Sequence, residues 1–355
     1  DRTTPTTTAG PSNSMRILLL LLLAAAAAAQ QCPRTGGCIL NTPDDGNVPL
    51  NPYVVSEIVS TDSCTPFTKY LRVYGLLLMA NPSGQSLPDN TIKWIAHAVT
   101  ELFPPTASDL DLQKKVIESM FRYRAALPLF QTNVMDLGAI EERVSMCDII
   151  TIGGEFRLNR EGQVMEIYEH LLHAITDVGL HRTFPREWGI TATSDLYHAM
   201  QEAITAGLYD VSDYGETQIP DQEARNRVQM QEFAYWALST IQGVHTLYFK
   251  GESTEWKLSR SLDVQNQLPK FWAIHEATTA KIFGEISTAT LNALGNLQGS
   301  EIDTEEAPWP ILAVGRGDVS GDVVGEDPCS PSPIGGVCNI VSSGSTGDSS
   351  SAASG

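Results

Sequence analysis

Gly162–His181 reads GQVMEIYEHLLHAITDVGLH, and the fold turns on how the two faces of this stretch are used. At 100° per residue, Val164, Ile167, Tyr168, Leu171, Ile175 and Val178 form one apolar stripe of a helix spanning Gly162–Val178. The opposite face carries Glu166, Glu169, His170, His173 and Asp177. Glu169 and His173 are four residues apart, and His170 and His173 three apart, so either pair can reach one cation. The stretch is one transposition from the zinc-protease helix motif His-Glu-x-x-His: here the order is Glu169-His170-x-x-His173. In that motif two histidines bind zinc and the glutamate acts as base. The transposed version would use Glu169 and His173 as ligands and His170 as base. An amphipathic surface helix with a solvated polar face has the same pattern, and both readings stay open.

Two helices follow. Ser194–Ala206 carries Asp195, His198 and Glu202 on one face, and Asp221–Gln242 carries Glu232 beside Tyr235 and Trp236. Glu202, His198 or Glu232 could complete a metal site. The segment EWKLS, with Glu255 and Trp256, could cover the same cleft. Upstream, Tyr53–Ser60 and Tyr70–Ala80 read as strands, the second fit for a buried position. Asn90–Phe103 reads as an amphipathic helix ended by Pro104-Pro105, and Asp109–Ala126 as a helix opened by an Asp cap. Ser145–Ile152 reads as a short strand closed by Gly153-Gly154. The expectation is a helix-rich α+β domain over residues 30–299, a small sheet followed by helices.

These segments together resemble a little-characterised secreted zincin-like family whose pattern is acidic-x-x-x-His, then an aromatic Tyr-Trp-Ala helix, then Glu-Trp. The matching residues are the Glu169-to-His173 helix ending in Gly179, the EFAYWAL segment and the EWKL segment. The resemblance covers roughly residues 70–270 and implies a zincin-like core in which Glu169, His173, Glu232 and Glu255 occupy the polar positions. His170 departs from it, falling where the pattern has an acid.

The ends of the chain concern compartment. Residues 1–14 read as translated leader outside the mature fold. Met15, Arg16 and the apolar run Ile17–Ala29 describe a secretory signal peptide, too short to span a bilayer. Its removal with residues 1–14 takes away one acid and two bases (Asp1, Arg2, Arg16), moving the net charge from −19 to −20. Such an acidic chain disfavours nucleic acid and anionic membranes. Cys32, Cys38, Cys64, Cys147, Cys329 and Cys338 are expected to form three disulfides, with Cys32–Cys38 and Cys329–Cys338 as local loops. Residues 300–355 are Gly-, Ser- and Asp-rich and read as a disordered tail. Within it, Arg316, Gly317 and Asp318 form an integrin-type cell-attachment tripeptide.

The first functional expectation is a secreted, acidic, non-catalytic extracellular protein, resident in an organic or calcified matrix and binding calcium weakly, on a degenerate zincin-like core. The alternatives are a secreted zinc-dependent hydrolase, most naturally a peptidase, and an Arg-Gly-Asp adhesion protein.

Overall fold

The computed structural model describes residues 48–62, 64–80, 87–131, 143–152, 159–249, 253–297 and 306–309, with Cys38, Leu40, Asn41, Pro43, Asp44, Leu137 and Ile140. Residues 1–29, read above as leader and signal peptide, with Cys32, Cys329, Cys338, Gly153-Gly154 and the Arg316–Asp318 tripeptide lie outside the described residues.

The chain folds as a helix-rich α+β domain around a small mixed sheet. Strands β1 (Val59–Ser60), β2 (Lys69–Val73) and β3 (Leu76–Ala80) are antiparallel neighbours. The apolar run Tyr70–Ala80, expected as one strand, is a hairpin whose register places Val73 opposite Leu76. Its two central residues, Tyr74 (φ 46°) and Gly75 (φ 82°), are both left-handed, as a two-residue hairpin requires. A Cβ at Gly75 would stand 2.7 Å from the Ile117 carbonyl oxygen and 2.8 Å from the Phe121 nitrogen. Gly75→Ala combines left-handed strain with backbone overlap, so a loss of about 2–4 kcal/mol in chemical denaturation is expected. A change below about 0.5 kcal/mol would mean that the hairpin does not lie against that helix.

From β3 the chain crosses through α1 (Asp89–Leu102) and α2 (Leu110–Arg122) before returning to the sheet. Helix α1 turns Ile92, Ile95, Val99 and Leu102 into the core and stops one residue before the Pro104-Pro105 pair. Helix α2 is capped by Asp109, whose side chain accepts from the Leu112 amide 2.9 Å away. It ends at Arg122 rather than at Ala126 as the sequence suggests. Arg124, at φ 50°, breaks the helix, and Ala125–Phe130 becomes β4, fully buried and parallel to β3. The helix-compatible pair Ala125-Ala126 hides this strand in the sequence; burial between two packed faces outweighs the propensity.

The expected strand Ser145–Ile152 is two short strands, β5 (Ser145–Met146) and β6 (Ile150–Thr151), both parallel to β4. The break between them, Cys147-Asp148-Ile149, leaves the ladder and re-aims Asp148 out of the sheet.

One face of the sheet packs on the main core, formed with α1, α2 and the central helix α3 (Arg160–Ala174). The other face is closed by a smaller cluster of Phe67, Leu77, Met79, Phe130, Val144 and Met146. Helix α3 is capped by Asn159, which accepts from the Gly162 amide at 2.7 Å. It runs on through a π-helical turn, Ile175–Leu180, and a last helical turn, His181–Thr183. The extra residue of a π turn rotates the next turn about the helix axis, and such turns gather at functional sites.

Helices α4 (Asp195–Thr205) and α5 (Gln222–Ile241) come next, capped by Ser194 and Asp221. The remainder is short helices: α6 (Val244–Tyr248), α7 (Ser261–Gln267), α8 (Pro269–Ala277), α9 (Thr279–Ile282) and α10 (Thr288–Gly295). Strands and helices therefore interleave rather than following one another in two blocks. Among the described residues, no helix is long and apolar enough to cross a membrane.

Candidate metal centre

Helix α3 is buried nearly all round, so its polar face is not the solvated face of a surface helix. Glu166, His170 and His173 are 9, 2 and 0 % exposed, nearly as closed as the apolar stripe opposite. A face carrying three acids and two histidines is thus turned inward, where an uncompensated charge is expensive. It meets α5 on one side and the β5–β6 break on the other.

The break supplies Asp148. Its Oδ2 lies 3.0 Å from His173 Nδ1 and 3.5 Å from His170 Nε2, and its Oδ1 accepts from the Ile149 amide. Burial alone would raise the Asp148 pKa, but the His170 charge and the His173 hydrogen bond hold it below the usual carboxylate range. A carboxylate can only accept, so the His173 proton sits on Nδ1 and the lone pair on Nε2. The amide of Gln231 closes the same side, 2.9 Å from Nδ1, with its two ends interchangeable by a half-turn.

His173 Nε2 is buried without a hydrogen-bond partner. It faces Glu232 Oε2 on α5 at 3.9 Å, and its ligand atom, that of Glu169 and that of Glu232 lie within 4.8 Å of one another. Donors around a tetrahedral divalent ion at about 2.1 Å stand about 3.4 Å apart, so a small closure would seat one ion here. Glu169 and Glu232 keep 18 and 15 % of their side-chain surface, so the group is reached from solvent.

The acids behave as a crowded set. Burial, with Glu166, Asp148 and Glu255 nearby and only His170 opposing, pushes Glu169 up to about 8. Glu232 rises well above the ordinary value through burial and the repulsion of Glu169 and Glu255. Glu255 is pushed up to about 7 by burial, partly offset by the nearby polar side chains of Trp236 and Tyr214. Its place is set by the bridge between Tyr209 and Trp256. His170, though lowered by burial, is carried up to about 9 by Asp148, Glu166 and Glu169. In the metal-free chain it is a buried imidazolium, so the expected base is already protonated at neutral pH. His173 is pulled down by burial and by His170, and stays neutral.

The other expected ligands are placed elsewhere. His198 is exposed on α4 against Tyr197. Glu202 accepts from the Lys270 amide at 3.2 Å at the start of α8. Cys38 pairs with Cys147, not with Cys32, across 109 residues, which fixes Cys38 next to the residue that precedes Asp148. Cys64 is also disulfide-bonded, to a partner outside the described residues. The Cys38, Cys147 and Asp177 side chains cluster too, but sulfurs joined to each other are not thiolate ligands.

Sequence reasoning missed Asp148 and Gln231. For Gln231 the signal was its place beside Glu232 on α5; for Asp148 no helical spacing connects it to His173. Asp148→Asn should keep the shape and remove the charge that orients His173. Zinc affinity by equilibrium dialysis should fall about 10–100-fold, and an unchanged affinity would remove Asp148 from the centre. Compared with protein-family models, with characterised proteins and with solved structures, the chain has no match.

Proposed function

We propose that this protein is a secreted metal-dependent hydrolase of zincin-like architecture, most naturally a peptidase. Its divalent ion is held by Glu169, His173 and Glu232. The observation that carries the reading is the buried, unpartnered Nε2 of His173 aimed at two carboxylates from different helices. The donors fit the group: imidazole and carboxylate suit zinc or another first-row divalent ion, which would take the place of the protons that the raised carboxyls otherwise hold. Three protein donors leave room for a water, and the bound ion supplies Lewis acidity and a water of lowered pKa.

The remaining work falls to the chain. Asp148 holds His173 in the tautomer that ligates. His170 offsets the charge of Asp148, Glu166 and Glu169. Glu255, at about 7, is the carboxyl suited to take up and return a proton near neutrality. The His173 ring packs edge-on to Tyr235, 6.0 Å between centroids, which keeps it from rotating.

Cleavage of a mixed peptide library by the full chain, with and without chelator, tests the reading. Chelator-sensitive cleavage, restored by zinc, is expected; no cleavage by the zinc-loaded chain would exclude the peptidase. Glu255→Gln should retain the metal and lose about 10²–10⁴ in kcat. Full activity in that variant would assign the proton transfer to another group.

The net charge of −19 favours a second reading, a non-catalytic matrix protein binding calcium weakly at many surface sites. That protein would show calcium uptake without saturation at one site and no hydrolysis.

A further inference from the structure

A buried acid lies against the Cys38–Cys147 disulfide. Asp177 Oδ2 is 3.0 Å from Cys38 Sγ, and one ligand atom from each of Cys38, Cys147 and Asp177 lies within 4.8 Å of the others. The three residues come from separate parts of the chain. Cys38 precedes the sheet, Cys147 lies in the β5–β6 break, and Asp177 lies in the π-helical turn Ile175–Leu180. They are 9, 3 and 4 % exposed. We propose that Cys38, Cys147 and Asp177 form a redox-gated metal site, shut while the disulfide is intact and open to one thiophilic divalent ion, most naturally zinc, once it is reduced. This site is separate from the Glu169–His173–Glu232 group and does not depend on it.

Two independent observations carry it. The first is the placing of the acid. A disulfide sulfur has no proton to give and accepts weakly, so a structural disulfide gains nothing from a carboxyl against it, while burying that carboxyl is costly. Thr176 serves the other oxygen, donating to Oδ1 at 3.1 Å, and leaves Oδ2 facing the sulfur. The π turn that carries Asp177 is the one irregularity of this described helix, and the Glu169–His173–Glu232 group makes no use of it. Two thiolates and a carboxylate are a donor set that selects zinc over calcium or magnesium. Zn–S bonds of about 2.3 Å hold two sulfurs about 3.8 Å apart, so the ion fits only after the bond between them is broken.

The second is charge. Arg227 on α5 donates to the Cys38 carbonyl at 3.1 Å, which sets its guanidinium beside the cluster. With the ion bound, two thiolates and the Asp177 carboxylate carry three negative charges, against two positive on the ion and one on Arg227, so the buried site closes to neutrality. A dithiol supplies the reduction. Two electrons and two protons pass from it to the Cys38–Cys147 bond; the S–S bond breaks, two thiols form, and the dithiol closes to its own disulfide. The ion then takes the place of the two thiol protons and of the proton that burial favours on Asp177.

The test is Co(II) titration of the full chain, oxidised and after reduction by dithiothreitol that is then removed without oxygen, with the freed thiols mapped by alkylation and mass spectrometry. The reduced chain is expected to take one equivalent more than the oxidised chain and to show a thiolate-to-cobalt charge-transfer band in the near ultraviolet. Cobalt on the Glu169–His173–Glu232 group, bound through oxygen and nitrogen, gives no such band, so the two sites read out separately. Reduced Cys147→Ser should lose the extra equivalent and most of the band. Asp177→Asn, which leaves both thiols in place, should keep the band with an affinity lowered by more than about 10-fold. A Cys38–Cys147 bond that resists the dithiol, a reduced chain that takes no further cobalt, a full band in Cys147→Ser, or wild-type affinity in Asp177→Asn would overturn the site and leave the first reading untouched.

Discussion

His173→Ala should lose the metal centre altogether. Removing an outer-sphere carboxylate weakens metal binding about 10–100-fold, and removal of a ligand should exceed that, so zinc affinity is expected to fall by more than about 100-fold. Any hydrolytic activity should fall with it. His173 is 0 % exposed and lies between Asp148 and Glu232, so its loss also leaves two half-buried acids without their neutral partner. His173→Asn, closer in polarity, separates loss of ligation from loss of packing. His198→Ala, on the exposed face of α4, should bind metal like the wild type. If His173→Ala retained the metal and His198→Ala lost it, the site would have to be rebuilt around α4.

The second large effect is the pH dependence of stability without and with metal. Glu169, Glu232 and Glu255 have folded values raised above the unfolded carboxylate value, so folding favours their protonated forms. That contribution is full in mild acid and is lost as pH rises through about 7 to 8. His170, raised to about 9, contributes fully below about 6.5 and loses its contribution as pH passes through about 9. Both act in the same sense, so the melting temperature of the chelated chain should fall between about pH 5 and 9. Asp148, lowered instead, contributes above about pH 4 and is lost only below that window.

A divalent ion must displace the protons of the raised carboxyls, so it should bind weakly at about pH 5 and tightly at about pH 8. At a free zinc concentration of about 1,000 Kd the gain is about 4 kcal/mol, or about 8–16 °C for a domain of this size. Calorimetric scans at those two pH values, each with zinc and with chelator, give all four melting temperatures. A zinc effect equal at both would show that the raised carboxyls are not the ligands.

The part of the centre that is legible in the sequence lies on one element. Glu169 and His173 are four residues apart on a single helix, so their meeting is written in the chain, and α1 and the caps Asp109 and Ser194 are equally local. The destination of the polar face was not written. An amphipathic pattern says that two faces differ, not that the polar one meets water, and here α5 and the β5–β6 break cover it. Asp148 joins the centre through a two-strand interruption that period-two alternation does not register. The Tyr74–Gly75 hairpin stayed hidden because no Asn or Asp marks it, and β4 because Ala125-Ala126 prolongs the α2 pattern. Glu202 and Glu232 looked equivalent as acids on later helices. Only packing separates them, since the first ends against the start of α8 and the second faces His173.

The most direct test of the central claim is the metal content of the full chain purified without chelators or nickel affinity, by elemental analysis. At least one zinc or other first-row divalent ion per chain, absent from the His173→Ala variant, is the predicted result. A wild-type chain that carries no stoichiometric metal, and takes none from added zinc or manganese in mildly alkaline buffer, would contradict it, leaving Glu169, His173 and Glu232 a protonated buried network.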